Sequence, residues 1–476
     1  MILSQSTYDA VVVGAGPNGL AAAITLQRSG LSVLLVEGKE TVGGGLRSAE
    51  LTLPGFRHDI GSAIHPMAVG SPFFQSVPLA DFGLRFVNPP VAAAHPVDGG
   101  RAAALQGTVA NTARSLGADE QVYRDLLEPL VDRWPGLAPD VLGPLGLPKH
   151  PLDFAAFGLN AIQPITVLAK RFQTPEARGL LAGMAAHATL PLTNLTTSAI
   201  ALVLMTMGHR HNWPIPIGGS GAIAQAMAAY FQSLGGTIIT NWPVRSLAEL
   251  PPARAVLLDV TPRQLLALAG DRFSTLYRRQ LARFRYGMGV FKVDWALDGP
   301  IPFTASACRQ AGTVHLGGTL DEIRQAEQQT AAGNHPDRPF VLLAQQSLFD
   351  DSRAPTGKHT AWAYCHVPNG STLDRTDAIE RQIERFAPGF RDQILARHTL
   401  NTTQLETYNP NFVGGDINGG RLDITQLFTR PVLSLSPYNT SAKGIYVCSS
   451  STPPGSGVHG MCGFHAANRV LADLFT

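Results

Sequence analysis

The chain has 476 residues, a length that predicts two or three domains rather than a single core. Charged residues make up only 15% of it, the formal net charge is +2, the mean hydropathy is +0.06, and the basic residues are scattered. This composition argues against a nucleic-acid partner and predicts a sparsely charged surface or large buried faces.

The first ten residues, MILSQSTYDA, lack a basic stretch followed by an apolar core, so we expect no secretory signal and a cytoplasmic location. The four cysteines are Cys308, Cys365, Cys448 and Cys462, and none of them forms a C-x-x-C pair. Their spacing argues against a disulfide scaffold, a zinc site and a redox-active dithiol. No metal site is expected.

The first predicted elements are an apolar strand ending at Val13, a glycine-rich turn, a helix of small residues and a strand ending at Glu37. In this pattern Gly14 allows the tight turn, Gly16 lets a pyrophosphate approach the backbone, and Gly19 lets the helix pack on the strand. The helix N-terminus offers free N–H groups to the phosphates, and the acid accepts hydrogen bonds from ribose hydroxyls. The pattern therefore predicts a dinucleotide site.

The next segment, KETVGGGLRS at residues 39–48, favours FAD over NAD. It resembles the second phosphate-contacting segment of flavoproteins of the glutathione-reductase type. Residues that match the usual pattern there are Val42, Gly43, Gly44 and Ser48. Gly45 occupies the position of the usual arginine, and Arg47 lies two residues further on, so either Lys39 or Arg47 is the basic residue at the pyrophosphate.

A second glycine-rich stretch, GSGAIA at residues 219–224, also fits a dinucleotide pattern, but its context does not. Two prolines precede it, and no acid follows at about 20 residues, so we do not expect a nicotinamide site here. The longer segment from Ile215 instead predicts a helix and a strand that leads to Val244.

The end of the chain predicts a strand, GIYVCSSS, a turn, TPPGSGVHGMCG, and a helix from Phe464. Glycines in the turn let the backbone approach a cofactor, and the helix N-terminus stabilises negative charge on a flavin ring. His459 is expected to contribute its backbone rather than to act as a catalyst.

Taken together, these segments resemble the phytoene desaturase-like group of FAD-dependent oxidoreductases, which is related to carotenoid desaturases, carotenoid isomerases and retinol saturase. The resemblance covers nearly the whole chain, and further matching segments are PGFRHDIGSAIHP, AGTVHLGG and YNPNFVGGDINGG. It implies an α/β fold with a discontinuous, Rossmann-like FAD-binding domain, an antiparallel-sheet substrate domain and a helical lid insertion.

The predicted domain boundaries follow from this resemblance. The FAD-binding domain is expected at residues 1–70, 212–268 and 441–476, the helical lid at 71–211 and the substrate sheet at 269–440. A stretch without charged residues, 179–208, predicts a buried helix that lines an apolar space.

The site residues are predicted on the same grounds, and the resemblance places Val244 at the adenine. The residues expected to bind FAD are Gly14, Gly16, Pro17, Asn18, Gly19, Glu37, Gly38, Lys39, Gly44, Gly45, Leu46, Arg47, Ser62, Val244, Ser450, Gly457, Val458 and His459. His65 and Tyr286 are the candidate catalytic residues. The alternative for His65 is a turn histidine before Pro66, and for Tyr286 an aromatic residue of the core.

The predicted function is hydride transfer to FAD from a long apolar substrate, a carotenoid, apocarotenoid or retinoid-like polyene. Two alternatives stay open: an amine oxidase acting on a small polar substrate, and a carotenoid isomerase without net oxidation. The uncharged segment 154–169 is either an interfacial helix in peripheral contact with a membrane or an internal lid helix. The sequence does not predict an oligomeric state.

Overall fold

The computed structural model describes residues 7–475, so the expectation of no secretory signal falls largely on residues outside that range. The strands, in chain order, are β1 Tyr8–Val13, β2 Val33–Val36, β3 Ser48–Glu50, β4 Arg57–Asp59, β5 Phe86–Val87, β6 Val91–Val97, β7 Arg101–Leu105, β8 Ile215–Pro216, β9 Thr237–Ile239, β10 Ala253–Leu258, β11 Gly289–Leu297, β12 Ala311–Leu316, β13 Val341–Ala344, β14 His359–Val367, β15 Ile394–Leu400 and β16 Ile445–Val447.

The α-helices, in chain order, are α1 Pro17–Arg28, α2 Pro66–Val69, α3 Pro72–Gln75, α4 Val109–Ser115, α5 Glu120–Val141, α6 Pro151–Ala161, α7 Ile165–Leu168, α8 Pro175–Ala186, α9 Thr197–His211, α10 Gly221–Ser233, α11 Pro262–Ala269, α12 Thr275–Ala282, α13 Ser306–Arg309, α14 Leu320–Ala331, α15 Thr376–Phe386, α16 Thr402–Tyr408, α17 Ile424–Leu427 and α18 Met461–Leu474.

A five-stranded parallel sheet in the order β16-β10-β1-β2-β9 draws its strands from three distant parts of the chain. Val13 at the end of β1 pairs with Leu258 of β10 and with Val36 of β2, so these strands end at one edge. Helices α1 and α18 pack closely, since a Cβ on Gly463 would lie 1.8 Å from the carbonyl oxygen of Asn18. This confirms the predicted discontinuous Rossmann-like domain.

A second sheet has seven strands in the order β15-β11-β14-β13-β12-β6-β7. Its neighbouring strands run antiparallel, as predicted, apart from the parallel pair β12–β6. Strands β6 and β7 lie within residues 71–211, the region predicted as a helical lid and substrate segment, so this region contributes two strands to the sheet as well as helices. The segment VAAAHPV is rich in alanine, the best helix former, and pairing with the sheet outweighs that local preference.

The helical part of residues 71–211 packs on this second sheet. The uncharged stretch forms most of α8 and α9, and both helices are largely buried, as expected. A Cβ on Gly183 would lie 2.8 Å from the Cβ of His315, so α8 contacts the sheet very closely. Between residues 7 and 475 no single helix is long and apolar enough to cross a membrane; α6 and Ile165–Arg171 meet that test only together, with an 88° bend.

Candidate active site

A cavity of about 970 Å³ lies between the two sheets and the helical region. At one end it is bordered by the segments that follow β1, β2, β10 and β16, at the carboxyl edge of the parallel sheet, where ligands bind in folds of this kind. Predicted cofactor residues that line it are Gly14, Gly16, Pro17, Asn18, Glu37, Gly38, Lys39, Gly44, Gly45, Leu46, Arg47, Ser62, Val244, Ser450, Gly457, Val458 and His459.

Gly19 is the predicted cofactor residue that does not line the cavity, because it is covered by the turn before it. A Cβ on Gly19 would lie 1.8 Å from the carbonyl oxygen of Gly14, which itself has a φ of +101°. Gly19 therefore brings α1 against the turn, and Pro17 and Asn18 at the start of α1 line the cavity. The absence of a side chain at Gly19 thus allows the close packing of helix and strand that the sequence pattern predicts.

Glu37 organises the backbone beside this turn. Its Oε2 accepts a hydrogen bond from the N–H of Ala15 at 2.9 Å, and its Oε1 accepts one from the N–H of Lys39 at 2.9 Å. The carboxylate is thus held at the end of β2, in the position from which an acid reaches ribose hydroxyls.

Of the two basic candidates, the geometry favours Arg47 over Lys39. Arg47 forms an ion pair with Glu37 at 3.1 Å, and its Nη1 donates to the carbonyl of Gly44 at 3.1 Å. A Cβ on Gly44 would lie 3.0 Å from the Cα of Gly16, so Arg47 is attached to the segment that touches the glycine-rich turn. Lys39 instead extends its Nζ to the carbonyl of Thr407 at 3.1 Å.

Asp259, which follows β10, is a site residue that the sequence reasoning missed. Its Oδ2 accepts the N–H of Gly19 at 3.0 Å, and the built Cβ of Gly16 would lie 3.1 Å from the same oxygen. Burial raises the pKa of this carboxyl to about 7, the charge of Glu37 adds to the shift, and the bond from Gly19 opposes it. An acid directly after the return strand, in LLDVTP, was the available signal.

The carboxy-terminal turn does not hold a reactive His–Cys pair. The N–H of Met461 donates to Nδ1 of His459 at 3.0 Å, and burial lowers the pKa of His459 to about 4, so the ring is neutral. The thiol of Cys462 contacts the carbonyl oxygens of Thr452 and Gly455 at 3.5 and 3.4 Å, and burial raises its pKa to about 11. The loop thus presents backbone and a neutral ring to the cavity, as expected.

Arg430 anchors the start of the carboxy-terminal turn, and it is a second site residue that the sequence reasoning missed. The guanidinium is buried, and its Nε and Nη2 donate to the carbonyl of Ser450 at 3.0 and 2.7 Å. Further donations reach the carbonyls of Asn418, Gly419 and Gly420, and the carboxylate of Asp416 accepts the N–H groups of Asn418 and Gly420. Burial lowers the pKa of Arg430 to about 10, so it remains a cation at neutral pH.

His65 lies in the cavity wall, as the catalytic hypothesis requires. Ser220 Oγ donates to the carbonyl of Ser62 at 2.6 Å, so it accepts from Nε2–H of His65, which lies 2.8 Å away. That arrangement leaves Nδ1 without the proton, and Nδ1 has no hydrogen-bond partner in the part of the chain that the structure describes. Burial lowers the pKa of His65 to about 4, so the ring is a neutral acceptor at this wall.

Tyr286, the second catalytic candidate, is not among the residues that line the cavity. Its hydroxyl accepts the N–H of Arg263 at 3.1 Å, and its ring packs edge-on against Phe284 with centroids 5.5 Å apart. The side chain is half-buried, so it lies at the edge of the core and outside the cavity wall.

Lys292 on β11 is the third residue that the sequence reasoning missed. It lines the cavity and forms a buried ion pair with Asp294, whose carboxylate also lies 3.7 Å from His58 and 3.5 Å from His398. Burial lowers the pKa of Lys292, while the carboxylate of Asp294 opposes the shift. Two opposite charges at i and i+2 of an otherwise apolar strand, GVFKVDWAL, were the signal for a functional pair.

One described protein family matches this chain over more than half of its length. The family of flavin containing amine oxidoreductases matches residues 18–272, more than half of the chain. The chain belongs to this family. Members bind FAD, and the glycine-rich turn, the acid at Glu37 and the close approach of Gly44 to Gly16 fit that cofactor.

Relatives extend over nearly all of this flavoprotein. A rat protein named pyridine nucleotide-disulfide oxidoreductase domain-containing protein 2 is 26% identical over 98% of this chain and 94% of its own length. A limonene dehydrogenase polypeptide of Castellaniella defragrans is 23% identical, covering 98% and 95%. The neurosporene-forming phytoene desaturase of Rhodobacter capsulatus is 24% identical, covering 95% and 92%.

Solved structures confirm the fold. An oxidoreductase from Methanosarcina mazei superposes with a TM-score of 0.65 at 16% identity, covering 97% of this chain and 99% of that one. Putrescine oxidase superposes with a TM-score of 0.64 at 18% identity, covering 98% and 99%. The chain is therefore an FAD-dependent oxidoreductase of the amine oxidase superfamily. Within residues 7–475, no group of three or more His, Cys, Asp or Glu is placed to hold a metal ion.

Proposed function

We propose that this FAD-dependent oxidoreductase oxidises a long, largely apolar molecule, a carotenoid, apocarotenoid or retinoid-like polyene, as a phytoene desaturase-like member of its superfamily. The observation that carries the proposal is the wall of the cavity away from the glycine-rich turns. Side chains there come from α9, α16 and the seven-stranded sheet and are largely apolar or aromatic: Ile200, Val203, Leu204, Val290, Leu342, Trp362, Tyr364 and Leu405.

The charges in the cavity support an apolar substrate over a cationic amine. Three carboxylates line it, and Glu37 and Asp259 belong to the glycine-rich end. The third, Asp140, accepts the N–H of Lys149 at 2.9 Å. The ionisable group on the sheet wall is Lys292, which in its protonated form repels an ammonium ion, and its counter-ion Asp294 lies behind it.

Bound FAD supplies a two-electron acceptor for a hydride from the substrate. The protein's part is to exclude water with the apolar wall and to hold the proton that the substrate loses. Two buried groups at the wall can hold it: Nδ1 of neutral His65, and Nζ of Lys292 in its unprotonated form, which burial favours.

The relatives give this proposal partial support. Limonene dehydrogenase and phytoene desaturase are named for hydrocarbon substrates, and each of the two sequences matches this chain over nearly its full length. A second candidate, oxidation of an amine, is favoured by the family as a whole and by the shared fold of putrescine oxidase.

Anaerobic mixing separates these functions. FAD-loaded protein is combined with lycopene, a β-apocarotenal or all-trans-retinol, and separately with putrescine, cyclohexylamine or benzylamine, while the visible absorbance of the flavin is followed. We expect bleaching with at least one apolar compound and none with the amines. Bleaching by amines alone would assign the amine oxidase. A changed double-bond geometry in the carotenoid without bleaching would assign the isomerase.

We also propose that the enzyme takes this substrate at a lipid surface, through peripheral contact of α6 rather than through an internal lid. One side of α6 faces the cavity with Phe154 and Phe157. The opposite side exposes Leu152 (86%) and Leu159 (72%), and Leu147 in the preceding loop is 98% exposed. An apolar outer face is the reverse of the pattern on ordinary surface helices.

The charges around this apolar face suit anionic headgroups. Lys149, Lys170 and Arg171 are exposed at the two ends of the segment, and the nearby acid Asp153 is paired with Arg133 at 3.1 Å. We expect the protein to float with vesicles of phosphatidylcholine and phosphatidylserine. The double substitution Leu152→Ser/Leu159→Ser should abolish flotation, whereas Leu373→Ser/Leu395→Ser, at exposed leucines elsewhere, should not. Absence of flotation of the unaltered protein would leave the internal lid.

A further inference from the structure

The sheet wall of the cavity contains polar atoms that a pure hydrocarbon would leave unused. Thr313 on β12 and Trp362 on β14 both line the cavity, and they are 1% and 5% exposed. Neither Oγ1 of Thr313 nor Nε1 of Trp362 has a hydrogen-bond partner among residues 7–475. Since buried polar groups are nearly always hydrogen-bonded, these atoms point to a ligand.

The two residues lie on the same part of the sheet. Ala344 of β13 pairs with Trp362 on one side and with Thr313 on the other. Residues directly opposite each other on neighbouring strands share a face, with Cβ atoms about 5 Å apart. The hydroxyl and the indole N–H therefore stand on either side of one small side chain.

A third polar group comes from the end of α8. The Nε2 atoms of His187 and His315 lie 2.9 Å apart and share one hydrogen bond, and His187 also lines the cavity. Burial lowers the pKa of His187 to about 3 and that of His315 well below its usual value, so both rings are neutral. A neutral pair shares a single proton in this bond, so Nδ1 of His187 donates or accepts according to which ring supplies it.

The hydrogen-bonding groups of Thr313, Trp362 and His187 favour a ligand that carries an uncharged oxygen atom. The indole N–H only donates, the threonine hydroxyl donates and accepts, and the histidine does either. The cation of this wall, Lys292, is already paired with Asp294, and an anionic ligand group would find no other counter-ion among these side chains. A hydroxyl or a carbonyl matches all three groups, whereas an ammonium or a carboxylate does not.

We propose that Thr313, Trp362 and His187 form an oxygen-binding wall, which holds a hydroxyl or carbonyl oxygen carried by an otherwise apolar substrate. The inference rests on the proposed function and narrows its substrate class from largely apolar polyenes in general to singly oxygenated chains, such as apocarotenoid or retinoid alcohols and aldehydes. The surrounding residues of α9 supply the apolar contacts for the chain itself.

Binding to a matched pair of ligands tests this wall. FAD-loaded protein is titrated with all-trans-retinol and with the deoxy hydrocarbon of the same skeleton, and the dissociation constants are obtained from perturbation of the flavin spectrum. We expect the alcohol to bind at least about tenfold more tightly, because the hydrocarbon leaves buried polar atoms unpaired.

Variants then assign the preference to the wall. Thr313→Val and Trp362→Phe should each reduce the alcohol-to-hydrocarbon ratio about threefold to tenfold, while affinity for the hydrocarbon stays the same or rises. Thr360→Val is the matched control, because Thr360 Oγ1 is also buried and unpartnered on β14 but does not line the cavity. Its ratio should be that of the unaltered protein.

The outcomes keep the two proposals apart. Equal affinity for the alcohol and the hydrocarbon, or a ratio that Thr313→Val and Trp362→Phe leave unchanged, would overturn the oxygen-binding wall and leave an apolar substrate standing. Binding of neither molecule, together with flavin bleaching by an amine, would overturn the proposed function and this inference with it.

Discussion

The two ends of the cavity are built from different chemical groups, backbone at one end and side chains at the other. The cofactor end consists of backbone: turns made possible by Gly14, Gly16 and Gly44, helix N-termini, and carboxylates that order N–H groups. The substrate end consists of side chains that project from β11, β12 and β14, such as Lys292, Thr313 and Trp362. The first end therefore tolerates almost no change of residue at its glycines, whereas the second sets what the enzyme recognises.

The largest effect is expected at the cofactor end. Gly19→Ala should give protein with little or no bound FAD, because the new Cβ would lie 1.8 Å from the carbonyl of Gly14 and force α1 away from the turn. Gly158→Ala is the matched control. Gly158 lies in a different helix, α6, and a Cβ built there has no neighbouring atom within 4 Å. Flavin absorbance per polypeptide measures the loss. Normal flavin content in Gly19→Ala would contradict the assignment of this turn.

At the substrate end, removing the buried amine should slow the chemistry without releasing FAD. Lys292→Met alone would leave Asp294 as an unpaired buried charge, so the double substitution Lys292→Met/Asp294→Asn is the better test. Flavin reduction by the substrate should fall by about 10²–10⁴-fold if the amine takes a proton. In the unaltered protein, the rate of flavin reduction should rise with pH as the amine of Lys292 loses its proton. This rise should be absent from the double variant. An unchanged rate with full flavin content would remove Lys292 from the chemistry.

The smallest effect concerns the stability of flavin-free protein at the cofactor end. The pKa of Asp259 is raised from 3.8 to about 7, so between these values the folded chain holds a proton that the unfolded chain releases. Stability should therefore fall as pH rises from about 4 to about 7, by up to about 4 kcal/mol, and then level off. Urea unfolding at several pH values measures this fall, and Asp259→Asn should remove it from the pH dependence of the free energy of unfolding. An equal fall in stability with pH in the unaltered protein and in the variant would contradict the raised pKa of Asp259.

Much of the cofactor end could be predicted from the sequence because glycines at fixed spacing encode backbone geometry directly. Gly14, Gly16 and Glu37 occupy the positions that the pattern assigns to them. Asp259 and Arg430 escaped prediction because their partners are backbone groups far along the chain, which no local pattern reveals.

The substrate end was harder to predict because its residues meet only through sheet pairing. Thr313 and Trp362 are 49 positions apart in the chain and become neighbours through β13. Tyr286 was a candidate because an aromatic side chain beside a glycine suits both a cavity and a core, and only the fold determines that it lies outside the cavity lining. Strands β6 and β7 were missed because alanine favours helices locally.

A crystal structure of the FAD-loaded protein would test the division of the cavity most directly. We expect the adenosine and diphosphate along Gly14, Glu37 and Arg47, and the flavin ring between the Gly457–His459 turn and Lys292, with the oxygen-binding wall left facing the ring across an apolar space. A flavin ring that lies elsewhere, or one that fills the space beside Thr313 and Trp362, would contradict this account.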